Sequence, residues 1–275
     1  MSVLHPSPIH GLGRSRFREA LGDWWRGTSR WDTWLTLAWF DVVLRYRRSY
    51  LGPLWITLSM AAMIAIIGPL YAMLFGISMR SYLPSVTLGF ILWSCLAGCI
   101  TEGCNSMVAA AGHLRQGAIP PSLIAWRVVT RNLIHLAHHM LLFVAVAFAM
   151  QIAPGPTTLL AIPGFLLAAL TLHAWTLSAG IACARFRDIV QVVPPVVQLA
   201  FFLTPVLWDV EQLPERARFV ALNPFAVLID LMRSPLLGEV PAASAWLAGL
   251  AWLAGSATLA AALSVAQQRR LVYWL

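Results

Sequence analysis

The sequence predicts an all-α membrane protein: six transmembrane helices, an N-terminal amphipathic interface helix ahead of them, and short re-entrant helices before the last span. Three observations lead there. Of 275 residues, 59% are hydrophobic and only 11% charged, against about 25% charged in a soluble domain. Mean hydropathy is +0.73, and the uncharged runs are of the order of the 20 residues that cross a bilayer. The charges are also one-sided. The net charge of +8 would point a soluble protein toward nucleic acid, but here its distribution reads as membrane topology instead.

Residues 1–30 are polar, basic and punctuated by proline and glycine, which reads as a loosely held cytoplasmic tail. They show no cleavable signal, because Arg14, Arg16 and Arg18 fall where its apolar core would be. Residues 31–52 are amphipathic at helical period. Trp31, Trp34, Leu35, Ala38, Trp39, Val42 and Tyr46 share one face, opposite Thr33, Thr36, Arg47 and Arg48. Tryptophan and tyrosine suit the headgroup level, which predicts a helix lying along the membrane. Phe40 and Leu44 interrupt its polar side and predict a protein contact there. Gly52 and Pro53 break this helix, and proline in a first turn starts the next.

Residues 53–270 form the transmembrane domain. The first span runs 54–77, and five more apolar segments follow at about 86–109, 124–151, 158–183, 189–205 and 243–266. A chain starting inside returns inside after six spans. The inner regions then hold 15 arginines and the outer ones four, Arg80, Arg216, Arg218 and Arg233. That bias places both termini in the cytoplasm.

Two loops break the pattern. The inner one contains Ile119-Pro-Pro-Ser-Leu, where prolines end one short helix and open another. It reads either as a docking handle for a cytoplasmic partner or as a tight turn. The outer stretch, about 204–238, has two apolar pieces too short to span around an acidic and basic middle. Such pieces read as re-entrant or interfacial helices.

Every cation is arginine, and without a lysine the chain carries no P-loop. Cys95, Cys99, Cys104 and Cys183 lie in apolar runs and read as packed thiols. His135, His138 and His139 put two imidazoles on one helix face, but no third ligand of matching depth is evident, so no metal site is assigned. Glu102 lies in the inner half of the second span and is expected to pair with Arg131 or Arg127. Arg45, Arg47 and Arg48, one turn before the first span, fit two roles: gripping the phosphates of a lipid-linked substrate, or setting topology against lipid headgroups.

Three motifs carry a family resemblance. Arg45-Tyr-Arg-Arg-Ser-Tyr-Leu-Gly-Pro-Leu-Trp55, Ile119-Pro-Pro-Ser-Leu, and Leu222-Asn-Pro-Phe-Ala-Val-Leu-Ile-Asp-Leu-Met-Arg-Ser-Pro-Leu-Leu-Gly238 together resemble the transmembrane subunit of ABC-2 type exporters. The likeness is to the branch that moves O-antigen and teichoic acid polysaccharides, and it covers about residues 30–270. It implies a homodimer in the bacterial inner membrane, two copies of a cytoplasmic ATPase that hold the ATP and magnesium, and a lipid-linked polysaccharide as cargo. No cofactor and no catalysis are expected on this chain. The resemblance makes 113–122 a coupling helix, with His113, Leu114, Arg115, Ile119, Pro120 and Pro121 facing the ATPase, and makes 31–50 a gate. It places the first and fifth spans near a central channel, where Tyr71, Phe75, Phe201, Phe202 and Trp208 are the ring candidates for a sliding sugar chain. The rivals are an ABC-2 exporter of a small lipid or drug, and a membrane glycan-modifying enzyme. The enzyme calls for acids clustered at one membrane face, whereas the inner loops hold only Asp188 beyond the N-terminal region.

Overall fold

The computed structural model describes residues 11–50, 52, 54–117, 119–208, 217–267 and 271–275. All regular structure among them is helical. In chain order it comprises α1 (Gly11–Ser29), α2 (Trp31–Tyr46), α3 (Leu54–Phe75), α4 (Met79–Ala109), α5 (Ala111–Arg115) and α6 (Pro121–Ala149). A short 3-10 turn at Pro156–Leu160 leads into α7 (Ala161–Arg185). There follow α8 (Ile189–Leu203), α9 (Ala217–Leu222), α10 (Pro224–Leu236), α11 (Ala243–Gln267) and α12 (Leu271–Trp274).

Among the described residues five helices are long and apolar enough to cross a membrane: α3, α4, α6, α7 with its preceding turn, and α11. The segment expected as a fifth crossing is α8, whose 15 residues rise about 22 Å at 1.5 Å each. That is short of a hydrocarbon core of about 30 Å.

The centre of the bundle is α4. In its most apolar window 67% of residues are buried, against 17% in both α3 and α11. It packs on α7, α6, α3, α8 and α10, and Leu88, Ile91, Leu92 and Leu96 are among its fully buried side chains. Side-chain bonds fasten the neighbours: Thr176 Oγ1 donates to the Cys99 carbonyl at 3.1 Å, and Trp175 Nε1 donates to Ser256 Oγ at 2.7 Å. All four cysteines are free and buried, as packed thiols should be.

One end of the bundle gathers α1, α5, the start of α6 and α12 around Met107, Leu114, Ile124, Leu177, Ile181 and Leu271. We call it the near end; α9 and α10 lie at the far end. Three details differ from the sequence expectation. First, 11–29 is not a loose tail but a helix packed on α6 and α11. Its polar appearance misleads because hydrogen bonds from Trp24 to Ser264 and from Trp126 to Thr28 add to the burial of Ala20 and the partial burial of Trp24. Second, the short near-end helix covers 111–115 rather than 113–122. Gly117, at φ +66°, turns the chain after it, and the two prolines belong to the cap and first turn of α6. Third, α4 starts at Met79, well before 86, and contains Pro84 in its second turn.

At the far end α10 has 13 residues, eight of them buried. Asn223 caps it, its Oδ1 accepting from Phe225 N at 3.0 Å, while its Nδ2 donates to Thr204 Oγ1 at 3.0 Å. The second contact ties α10 to the end of α8. Pro53 and Arg216, named in the sequence reading, lie outside the described residues.

Candidate functional site

Helical period puts Ala38, Asp41, Val42 and Arg45 of α2 on one stripe, at i, i+3, i+4 and i+7. Ala38 and Val42 are 0% and 2% exposed, and the stripe lies on α6. Asp41 is thereby carried to Arg127 and Arg131, one turn apart on α6. Arg127 grips it as a fork, Nε to Oδ2 at 2.8 Å and NH2 to Oδ1 at 2.5 Å. Arg131 bridges two carboxylates, donating to Asp41 Oδ2 at 2.9 Å and to Glu102 Oε2 of α4 at 2.6 Å. Asn132 Nδ2 adds a bond to the same Glu102 oxygen at 2.8 Å. The Glu102–Arg131 pair expected from the sequence is therefore present, and Arg127 is given to Asp41. Three helices meet in one charged seam.

The seam borders a cleft of about 500 Å³, lined by Arg45, Thr101, Glu102, Asn105, Arg131 and Pro194 among others. Arg131 is 17% exposed, whereas Arg45 is 49% exposed. Arg45 NH2 stands 3.8 Å from Glu102 Oε1, too far for a hydrogen bond. Arg47 and Arg48, beyond the last turn of α2, are exposed; only Arg45 of the three reaches the cleft.

Burial alone would raise the Asp41 carboxyl, but hydrogen bonds and charge from Arg127 and Arg131 outweigh it and hold the group below its ordinary value. A depressed carboxylate stabilises above its unfolded pKa of about 3.9, and that stability fades as pH falls through the lower folded value. Hydrogen exchange of α2 in the detergent-purified protein should therefore stay slow at pH 5 and accelerate only below the ordinary carboxylate range. Asp41→Asn should lose that acid step and exchange faster already at pH 7. An unchanged acid step in the variant would show that Asp41 does not hold α2.

The predicted aromatics fall into two linked groups. Tyr71 and Phe75 meet edge to face at 5.6 Å, and Phe75 meets Tyr82 at 6.5 Å. Tyr82 donates to the Leu207 carbonyl at 2.6 Å, beside the part-buried Trp208. Phe201 packs on Phe90 and Trp93 of α4 at 5.6 and 5.4 Å, so it serves the bundle interior. Phe202, 61% exposed, touches Phe201 at 5.4 Å and has a free face. Trp93 and Phe225, 5.1 Å apart, were passed over in the sequence, where nothing separates a core ring from a lining one.

At the near end, Leu114 is buried and anchors α5, while His113 and Arg115 are exposed and Ile119, Pro120 and Pro121 half-buried. Among the described residues no three metal-ligating side chains converge. His138 Nδ1 lies 2.8 Å from the Ile134 carbonyl of its own helix.

Five helices of membrane length among the described residues define a multi-pass membrane protein. The profile of the ABC-2 type transporter family matches residues 33–237, and the chain belongs to that family. The match runs from α2 to the end of α10 and contains the whole charged seam. The chain is 26% identical over 209 residues to a protein named O-antigen export system permease protein RfbA from Klebsiella pneumoniae, covering 73% of this chain and 78% of that one. A protein of the same name from Myxococcus xanthus is 26% identical over 202 residues, covering 70% and 75% respectively.

Proposed function

We propose that this chain is the membrane-spanning subunit of an ATP-driven exporter moving a lipid-linked, O-antigen-like polysaccharide across the bacterial inner membrane. The observation that carries this reading is the family match from α2 through α10 together with relatives named as O-antigen export permeases over three quarters of their length. In this reading two copies form a channel between them and two copies of a separate ABC ATPase dock at the near end, which is cytoplasmic, and hold ATP and magnesium. The chain catalyses nothing itself. The α5–α6 turn, with His113 and Arg115 outward, is the coupling element. The exposed apolar face of α3, where Ile66, Met73 and Leu74 are 69%, 83% and 70% exposed, meets lipid or the second copy.

In the same reading α8 is the fifth of six crossings, completed by the chain after Leu203, and α9 and α10 cap the outer mouth as re-entrant pieces. Apolar sugar faces stack on rings without fixed register, so Tyr71, Phe75, Phe202 and Trp208 suit a sliding polymer, with Phe201 bracing them. Arg45 binds the linker phosphate at the cleft, where α2 acts as gate, and Arg47 and Arg48 draw anionic headgroups to its end.

The test is a strain lacking the gene, fractionated to locate its surface polysaccharide. Full-length lipid-linked polymer retained inside is the expected result. Normal surface polymer would overturn the glycan reading in favour of a small-molecule exporter. Absence of polymer from every fraction would point to a synthetic enzyme.

A further inference from the structure

The helix α1 lies outside the residues matched by the family profile, yet it touches the near-end turn at a point where no side chain fits. A Cβ on Gly27 would overlap Ser122 Oγ and come within 2.7 Å of the Leu123 backbone nitrogen. Ser122, the second residue of α6, follows the two prolines directly and is 1% exposed. Its hydroxyl donates to the Asp23 carbonyl of α1 at 2.8 Å, and its carbonyl accepts from His173 Nε2 of α7 at 3.2 Å. One residue of the turn is thus held from two sides.

A ring column backs this contact. Trp34 of α2 stacks on Trp126 of α6 at 5.6 Å, Trp126 stacks on His173 at 4.4 Å, and Trp24 of α1 meets His173 edge-on at 6.0 Å. Thr28 joins it from α1: its Oγ1 accepts from Trp126 Nε1 at 3.0 Å and its carbonyl from Trp34 Nε1 at 3.3 Å. Trp24 Nε1 donates onward to Ser264 Oγ of α11 at 3.3 Å. A cleft of about 540 Å³ lies between α1, Leu114, Ile119, Leu177 and Leu271. At its edge Gly27–Ser122 and the ring column join α1 to the start of α6.

We propose that α1 is a brace that fixes the α5–α6 turn against the bundle, with Gly27 and Ser122 as its positioning pair. A load applied at the turn then passes through Ser122 and the rings to α2, α7 and α11 instead of bending the turn. The consequence for transport rests on the reading of this turn as the ATPase contact; the mechanical claim does not.

Gly27→Ala tests it against Gly22→Ala in the same helix, where a Cβ meets nothing within 4 Å. Alanine favours an isolated helix over glycine at both positions, so only docking distinguishes them. In the purified full-length permease in nanodiscs, Gly27→Ala should raise hydrogen exchange of 111–122 about tenfold, and Gly22→Ala should leave it unchanged. Equal exchange in both variants would overturn the brace. Reconstituted with the ATPase, Gly27→Ala should hydrolyse ATP but move less polymer per ATP; an unchanged ratio would overturn the positioning role. If wild-type permease captures no ATPase while the exchange difference holds, the brace stands and the ATPase reading fails. Ser122→Ala, which removes only the hydroxyl, should shift exchange in the same direction by less, and it serves if Gly27→Ala fails to reach the membrane.

Discussion

Replacing Arg131 by methionine is expected to give the largest loss of any single charged residue in the chain. Arg131 is the one cation bonded to both carboxylates of the seam, Asp41 of α2 and Glu102 of α4. Without it, Glu102 keeps Asn132 and a distant Arg45, and Asp41 keeps Arg127. Removing one member of a buried ionic network leaves partners uncompensated and costs about 3 kcal/mol. The side chains here are 15% to 27% exposed, so water recovers part of this without cancelling it. The melting temperature in detergent should fall, and α2 should exchange freely. Arg131→Lys should be intermediate, since an ammonium keeps the charge but lacks the fork that spans two acids. Export should fall with both variants, in the order lysine then methionine. A melting temperature equal to wild type in Arg131→Met would refute the seam as the tie between α2 and the bundle. Substituting the exposed Arg187 by methionine serves as the control for lost charge alone.

Gly164→Val is expected to displace α10. A Cβ at this position of α7 would overlap the Leu231 carbonyl oxygen of α10 and lie 3.0 Å from its carbonyl carbon. The atoms met are backbone and the position of the Cβ is fixed by its own backbone, so no rotamer change relieves the clash, and overpacking of this kind costs about 3 kcal/mol. The helix that must move carries Leu228, Ile229 and Leu231, all 0% exposed. A cysteine placed at Leu228 reports the movement, because the four native cysteines are buried and give little background. It should resist maleimide with Gly164 present and react once valine is introduced. Continued protection would show that α7 yields instead of α10.

These two sites also mark how far the sequence can be read. The membrane-length helices are legible because span length is a one-dimensional property: an apolar run either matches the bilayer or does not. The starts at Leu54 and Ala243 coincide with expectation, and Pro121 opens α6 as a first-turn proline should. The case of α8 shows the limit of the same rule. Its run ends at Leu203 because Thr204 precedes Pro205 and is extended, at φ −100° and ψ 136°; Asn223 then takes up the Leu203 carbonyl and Thr204.

Charge placement is less legible. Glu102 pairs with Arg131 as expected, since both sit at similar depth in consecutive apolar helices and neither can stay unpaired there. Asp41 was passed over because it lies inside a face that looked apolar, between Ala38 and Val42. Its value as a partner appears only when Arg127 and Arg131 arrive a turn apart on another helix. Likewise α1 looks like a tail, for its docking rests on one missing Cβ at Gly27 and on rings from three other helices. The free face of Phe202 and the packed face of Phe201 are neighbours in sequence and differ only through α4.

By itself, then, the sequence determined that this is a helical membrane protein, roughly where its apolar helices begin and end, and that it has no P-loop lysine. Those properties follow from composition, run length and local backbone preference. Only the tertiary structure decided which acid meets which arginine, which rings keep a free face, and that α1 holds the near-end turn. Such pairings depend on how each helix is rotated about its axis and where it crosses its neighbours, which is set by contacts between residues as much as 240 positions apart.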